Sequence, residues 1–268
     1  MRVRVLGVPI DPLTMANAVE RIVDRAADPR SLPAYVLKPY VEFFGPRAGT
    51  GSREIFEGAW LSLADGVAIQ WAAAYGRRER HGAADLVRSL ADIVLRPQSV
   101  TGVIPERTAG VTFTLALLER CRVRGLAVFL IGSPKANSIG HTAKHLEGLF
   151  PGLRLVGTAP GRTDATSEAS TVEALRHACP DVILVGLGFP LQERLMARLA
   201  DRLEHGVLIG EGGSFDFRDL GGRIRRAPSL LRRLGLEWLW RLSREPSRLR
   251  RQLAIPRFVA AVHRQERR

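Results

Sequence analysis

Cysteine is scarce: Cys121 and Cys179, 58 positions apart, are the only two among 268 residues. Two isolated thiols make neither a disulfide framework nor a thiolate metal cluster, and they suit a reducing cytoplasm. Long apolar runs are missing too. No uninterrupted stretch reaches the roughly 18 residues of a membrane-spanning helix. The longest, such as 126–131 and 182–185, are strand-sized. The opening residues MRVRVLG lack the apolar segment of a signal peptide and read instead as a first strand over residues 3–8. There is no GxGxxG fingerprint, no HExxH and no GxSxG, which removes the commonest dinucleotide, zinc-protease and serine-nucleophile patterns. RRM, zinc-finger and helix-turn-helix signatures are also absent, so no nucleic acid is expected as a partner.

What is present is an ordinary globular composition, 46% hydrophobic, with a formal charge of +13. That charge is lopsided. From Arg218 onward there are 15 Arg and no Lys against Asp219, Glu237, Glu245 and Glu266, which is +11 in the last 51 residues. Charge gathered at one end points to a polyanionic partner such as anionic lipid or a phosphorylated substrate, or to a solvated arginine-rich face. Within that tail Leu231, Leu234, Trp238 and Leu242 recur at three- and four-residue spacing. This apolar stripe fits a surface-lying membrane helix, and equally a helix packed on its own domain or a sister subunit.

Before the tail, apolar periodicity predicts helices over 16–26, 67–75, 83–95, 111–121, 135–149, 172–178 and 192–203. Strand-length runs lie at 35–37, 126–131, 153–156, 181–185 and 207–209, with Ser52 expected to cap a further helix. Gly157–Ser167 reads as a loop. Strands alternating with helices of this length mean βαβ units. The expected fold is therefore α/β: a Rossmann-like parallel sheet with helices on both faces and a C-terminal basic helical appendage. The division is 1–217 for the α/β domain and 218–268 for the appendage. Within the domain, about 1–110 is the acceptor side and 111–217 the nucleotide side.

Several residues are chemical candidates. Gly186-Leu187-Gly188-Phe189-Pro190 follows a strand and opens a helix, a place where backbone N–H groups bind phosphate. Gln192 and Glu193 would face the same crevice, or simply suit a helix start. Asp65-Gly66 is either an N-cap with a permissive glycine or a carboxylate at a strand end, suited to deprotonating a hydroxyl. Gly110 suits close approach of backbone to substrate. His141 and His145, four apart on a helix, lack the partners of a metal site.

The chain resembles the WecG/TagA/CpsF family of bacterial glycosyltransferases. The resemblance rests on Leu6-Gly7-Val8-Pro9-Ile10-Asp11, Ala64-Asp65-Gly66, Glu106-Arg107-Thr108-Ala109-Gly110, Phe150-Pro151-Gly152 and the segment 181–193. It continues through Gly213-Ser214-Phe215-Asp216-Phe217, Gly222-Arg223-Ile224-Arg225-Arg226-Ala227-Pro228, Gly235–Leu242 (GLEWLWRL) and Glu245-Pro246. The resemblance implies an inverting transfer of a hexose-type sugar (N-acetylmannosamine, glucose or a uronic acid) from a UDP-sugar to a polyprenyl-diphosphate-linked glycan. It places the protein peripherally on the inner face of the cytoplasmic membrane, with a homo-oligomer left open and no cofactor beyond the donor substrate. Asp65 would be the base. Gly132, Gly186, Gly188, Gln192, Glu193, Gly213 and Asp216 would hold the nucleotide, and Arg107, Arg223, Arg226 and Arg241 would neutralise phosphate. Two departures stand out. Leu37-Lys38-Pro39 occupies the place of the family's Thr-x-Asn, with Lys38 or Glu42 as replacements, and Leu191 that of a lysine. The segment 76–106 is also longer than usual. A catalytically reduced member that binds nucleotide-sugars within a polysaccharide assembly is the alternative reading.

Overall fold

The computed structural model describes residues 1–49, 51–108, 110–133, 139–162, 164–229, 231, 237–244 and 253–267; at Arg47, Glu237, Trp238, Arg241 and Arg244 the backbone alone is described. The first strand of the sequence reading is in fact a hairpin. Strands β1 (Val3–Val5) and β2 (Val8–Ile10) pair antiparallel around Leu6-Gly7, both at positive φ. Helix α1 (Met15–Ala27) follows, its N-terminus capped by Thr14 and its buried stripe formed by Ala18, Val19, Ile22, Val23 and Ala26.

Six strands then build one parallel sheet: β3 (Ala34–Leu37), β4 (Leu61–Ser62), β5 (Ala127–Gly132), β6 (Arg154–Pro160), β7 (Val182–Gly186) and β8 (Val207–Gly210), in spatial order β4-β3-β8-β7-β5-β6. Apart from the edge strand β6, their apolar runs are buried because both faces are covered. Phe129, Ile131, Ile183, Val185 and Leu208 point into one core, and Val128, Leu130, Leu184 and Ile209 into the other. The first core is closed by α2 (Ser52–Gly58), α3 (Val67–Tyr75), α8 (Ala165–Ala178) and α9 (Leu191–Ala200). The second is closed by α1, α6 (Gly110–Val123) and α7 (Ile139–Leu149). The fold is thus α/β, a parallel sheet flanked by helices on both faces.

Between α3 and α6 lie α4 (Ala83–Leu95) and the short α5 (Gln98–Thr101). Near the C-terminus are α10 (Glu237–Arg244) and α11 (Ala254–Glu266). The last of these packs on the parent domain. Phe258 lies 4.9 Å from the ring of Phe44 and 6.5 Å from that of Trp71, and Tyr75 Oη meets His263 Nδ1 at 2.8 Å. No described helix is long and apolar enough to cross a membrane.

Three local expectations need correction. Ser52 is the first helical residue of α2 rather than its cap; Gly51 holds the cap position and the Ser52 hydroxyl donates to the Gly49 carbonyl. Strand β6 runs on through Gly157–Pro160, where a loop was expected. Gly157 is there for packing, since a Cβ would come within 2.5 Å of the Phe129 ring. Helix α8 starts at Ala165, seven residues earlier than periodicity predicts, because Asp164 caps it by accepting from Ser167 N–H.

Candidate active site

Chain connections turn opposite ways at the C-terminal edge of the sheet. From β7 the chain enters α9 on one face, and from β5 it enters α7 on the other. Such a switch point opens a crevice beyond the strand ends. Three glycines line up there: Gly132 pairs in register with Gly186, and Val185 with Gly210. Each makes room for a neighbour. A Cβ on Gly186 would come 2.4 Å from the Phe215 ring, one on Gly210 would come 2.7 Å from Gln192 Nε2, and one on Gly132 would come 2.7 Å from Ile139. The edge therefore gathers Gly132, Gly186, Gly188, Gln192, Glu193 and Gly213, with Asp216 a turn further on.

Gln192 organises this half of the crevice. Its Oε1 accepts from Gly188 N–H at 3.2 Å and from Gly212 N–H at 2.8 Å, joining the loops after β7 and β8. Its Nε2 donates to Glu193 Oε1 at 2.8 Å. Glu193 is buried, and its Oε2 has no hydrogen-bond partner among the described residues. Burial pushes its carboxyl up to about 7, against the opposing hydrogen bond from Gln192.

The other half of the crevice is built from β3, β4 and the segment before α6. Asp65 N–H donates to the Pro39 carbonyl at 2.9 Å, tying the end of β4 to the end of β3. The N-cap of α3 is Gly66, at φ 106°, so Asp65 stands one residue outside the cap position. It is half-buried. Arg107 is held from both sides: Glu106 Oε2 accepts from Met15 N–H at 2.8 Å, and Thr108 reaches the Ala64 carbonyl through both N–H (2.8 Å) and Oγ1 (3.0 Å). The sequence Glu-Arg-Thr thus clips its middle residue beside the Asp65 strand end. Gly110 lets α6 start against the loop after β8, where a Cβ would meet Ser214 Oγ at 2.6 Å.

The two halves meet through a buried ion pair that sequence reasoning caught on one side only. Lys38 Nζ donates to Glu211 Oε2 at 2.9 Å, and Thr114 Oγ1 donates to the same oxygen. The ammonium also sits 5.0 Å from the centre of the Phe113 ring. Glu211 follows β8 just ahead of the Gly213–Phe217 motif; its own signal is a carboxylate directly after an apolar strand.

Beyond Phe217 the chain doubles back. Residues Phe217 and Ile224 form a bridge, and Ile224 N–H donates to the Asp216 carbonyl at 2.8 Å. This brings the exposed Arg223 and half-buried Arg226 next to the loop after β8. The Arg241 side chain lies outside the described residues. His145 is engaged with the Asp219 carbonyl at 3.3 Å, and no cluster of three or more His, Cys, Asp or Glu among the described residues is arranged to hold a metal. Cys121 is buried and its thiol is pushed up to about 12 by desolvation, which fits a core residue.

The family model described as Glycosyl transferase WecG/TagA/CpsF matches residues 3–100 and 91–268. The chain belongs to the WecG/TagA/CpsF family. Its two matched segments overlap inside the stretch 76–106, which reads as longer than usual. Among curated members, an N-acetylglucosaminyldiphosphoundecaprenol N-acetyl-β-D-mannosaminyltransferase of Bacillus spizizenii strain W23 is 32% identical over 175 residues. The protein of the same name from Bacillus subtilis strain 168 is 30% identical over 174 residues. Both alignments cover 65% of this chain and 66% of the relative, so the chain spans just under two thirds of the length of these WecG/TagA/CpsF proteins.

Proposed function

We propose that the protein transfers a hexose-type sugar from a UDP-sugar to a polyprenyl-diphosphate-linked glycan at the inner face of the cytoplasmic membrane, with inversion. The reading is supported by family membership and by the activity for which the two Bacillus relatives are named. The observation that carries it is the crevice itself. One half offers glycine-lined strand ends held by Gln192, and the other offers Asp65 with Arg107 clipped alongside. In this scheme the nucleotide occupies the ends of β5, β7 and β8, with Asp216 toward the ribose-bearing side. Arg107, Arg223, Arg226 and Arg241 neutralise the departing diphosphate, and Asp65 takes the acceptor hydroxyl proton as the new glycosidic bond forms.

The donor choice is set by the Lys38 region. Where the family offers a hydroxyl and an amide, this chain carries an ammonium already committed to Glu211. The candidate donors are N-acetylmannosamine, glucose and a uronic acid. The deciding experiment pairs a panel of UDP-sugars with a synthetic polyprenyl-diphosphate sugar. Transfer from one donor, abolished by at least about a hundredfold in Asp65→Asn, is expected of a general base. Wild-type turnover in Asp65→Asn removes Asp65 from the chemistry. Tight UDP-sugar binding without transfer to any acceptor favours the catalytically reduced reading.

A further inference from the structure

Helix α4 is apolar on both sides. Its inward side packs Leu86, Leu90 and Ile93 against the core and makes two polar contacts: Ser89 Oγ accepts from Trp71 Nε1 at 3.0 Å, and Asp92 Oδ2 accepts from Arg78 at 2.6 Å. Its outward side is apolar. Ala84, Val87, Ala91, Val94 and Leu95 share one face at helical spacing, and all five are exposed: Val87 at 68%, Val94 at 52% and Leu95 at 75%. No described residue covers this face. A surface helix normally turns polar residues outward, and a contiguous exposed apolar face marks an interaction surface.

We infer that this face of α4 seats on an anionic membrane surface, a second contact separate from the arginine-rich tail. Charge selects the partner. Arg88 on the helix and Arg96 at its end are exposed, as are Arg77 and Arg80 in the segment leading into it, against the exposed acid Glu79 of that segment. A second copy applied face to face would set these like charges against each other. An anionic leaflet neutralises them while the valines and Leu95 enter the headgroup boundary. Position agrees. Helix α4 packs against α3, whose start adjoins Asp65, so the face lies on the acceptor half of the molecule. The inference rests on the lipid-linked acceptor of the proposed function, since a membrane contact there brings the crevice to its substrate.

The test uses the full-length protein with vesicles of phosphatidylcholine alone or mixed with phosphatidylglycerol. Cosedimentation of Val87→Glu/Val94→Glu with the mixed vesicles is expected to weaken about tenfold. Arg80→Glu/Arg88→Glu should reduce the preference for the anionic mixture to what the arginine-rich tail alone supplies. Transfer to a water-soluble short-prenyl acceptor should proceed at the wild-type rate in both variants. Unchanged cosedimentation of Val87→Glu/Val94→Glu overturns the inference. So does a wild-type dimer, seen by sedimentation, that this variant splits without a change in vesicle binding. Weakened cosedimentation in a protein that transfers sugar to no acceptor supports the α4 contact and places the failure with the proposed activity.

Discussion

Lys38 and Glu211 stand at the ends of neighbouring parallel strands and close a 2.9 Å ion pair with side chains only 5% and 0% exposed. Removing one partner strands a buried charge, and the penalty is typically about 3–5 kcal/mol. Lys38→Met should therefore lower stability by about that amount in urea unfolding. Lys38→Met/Glu211→Gln should recover most of it, because the stranded charge goes with the second change. The double-mutant cycle measures the coupling. If Lys38 also shapes donor choice, the double variant will be folded yet altered in its ranking of UDP-sugars.

Glu193 predicts a pH dependence of stability. Its folded carboxyl titrates at about 7, above the ordinary 4.5. Between those values the folded protein keeps a proton that the unfolded chain releases. Stability therefore falls as pH rises through that window, by about 3 kcal/mol over its whole width as an upper bound. Glu193→Gln keeps an oxygen to accept from Gln192 and removes the titration. Its unfolding free energy should exceed wild type at pH 8 and converge with it toward pH 4.5. A pH slope that survives the substitution assigns the effect to other groups.

Helix α11 makes the C-terminal segment part of the domain core. Phe258 is 2% exposed between Phe44 and Trp71. Phe258→Ala should destabilise the whole protein by about 3–5 kcal/mol, and in a single transition. An early partial transition that leaves the rest of the melt at its wild-type midpoint would show an appendage that folds separately. The same packing complicates deletion of residues after Phe217, which strips Trp71 and Tyr75 of their cover along with the arginines.

Much of the sheet was legible because buried parallel strands write themselves as short apolar runs. Val182–Val185 and Val207–Ile209 are read correctly to within a residue, and so are the helices Val67–Tyr75 and Ala83–Leu95. What escaped was non-local. Gly157 reads as a turn until the Phe129 ring explains it, and Glu211 has its partner 173 positions away. The periodicity of α4 gave a helix but not its orientation. Only Trp71 and Arg78, on other parts of the chain, show that Ser89 and Asp92 face inward. At the candidate site, the glycines and Gln192 were visible as a motif, whereas their joining of two loops was not.

That joining couples two loops that lie apart in the sequence. A single amide oxygen fastens Gly188 and Gly212, so a shift of either loop that pulls away from Gln192 leaves the other N–H without its acceptor. The loops after β7 and β8 must yield together or hold together. Substitutions in either one will be felt at both, and changes in sugar preference will tend to arrive as paired adjustments on the two sides of Gln192.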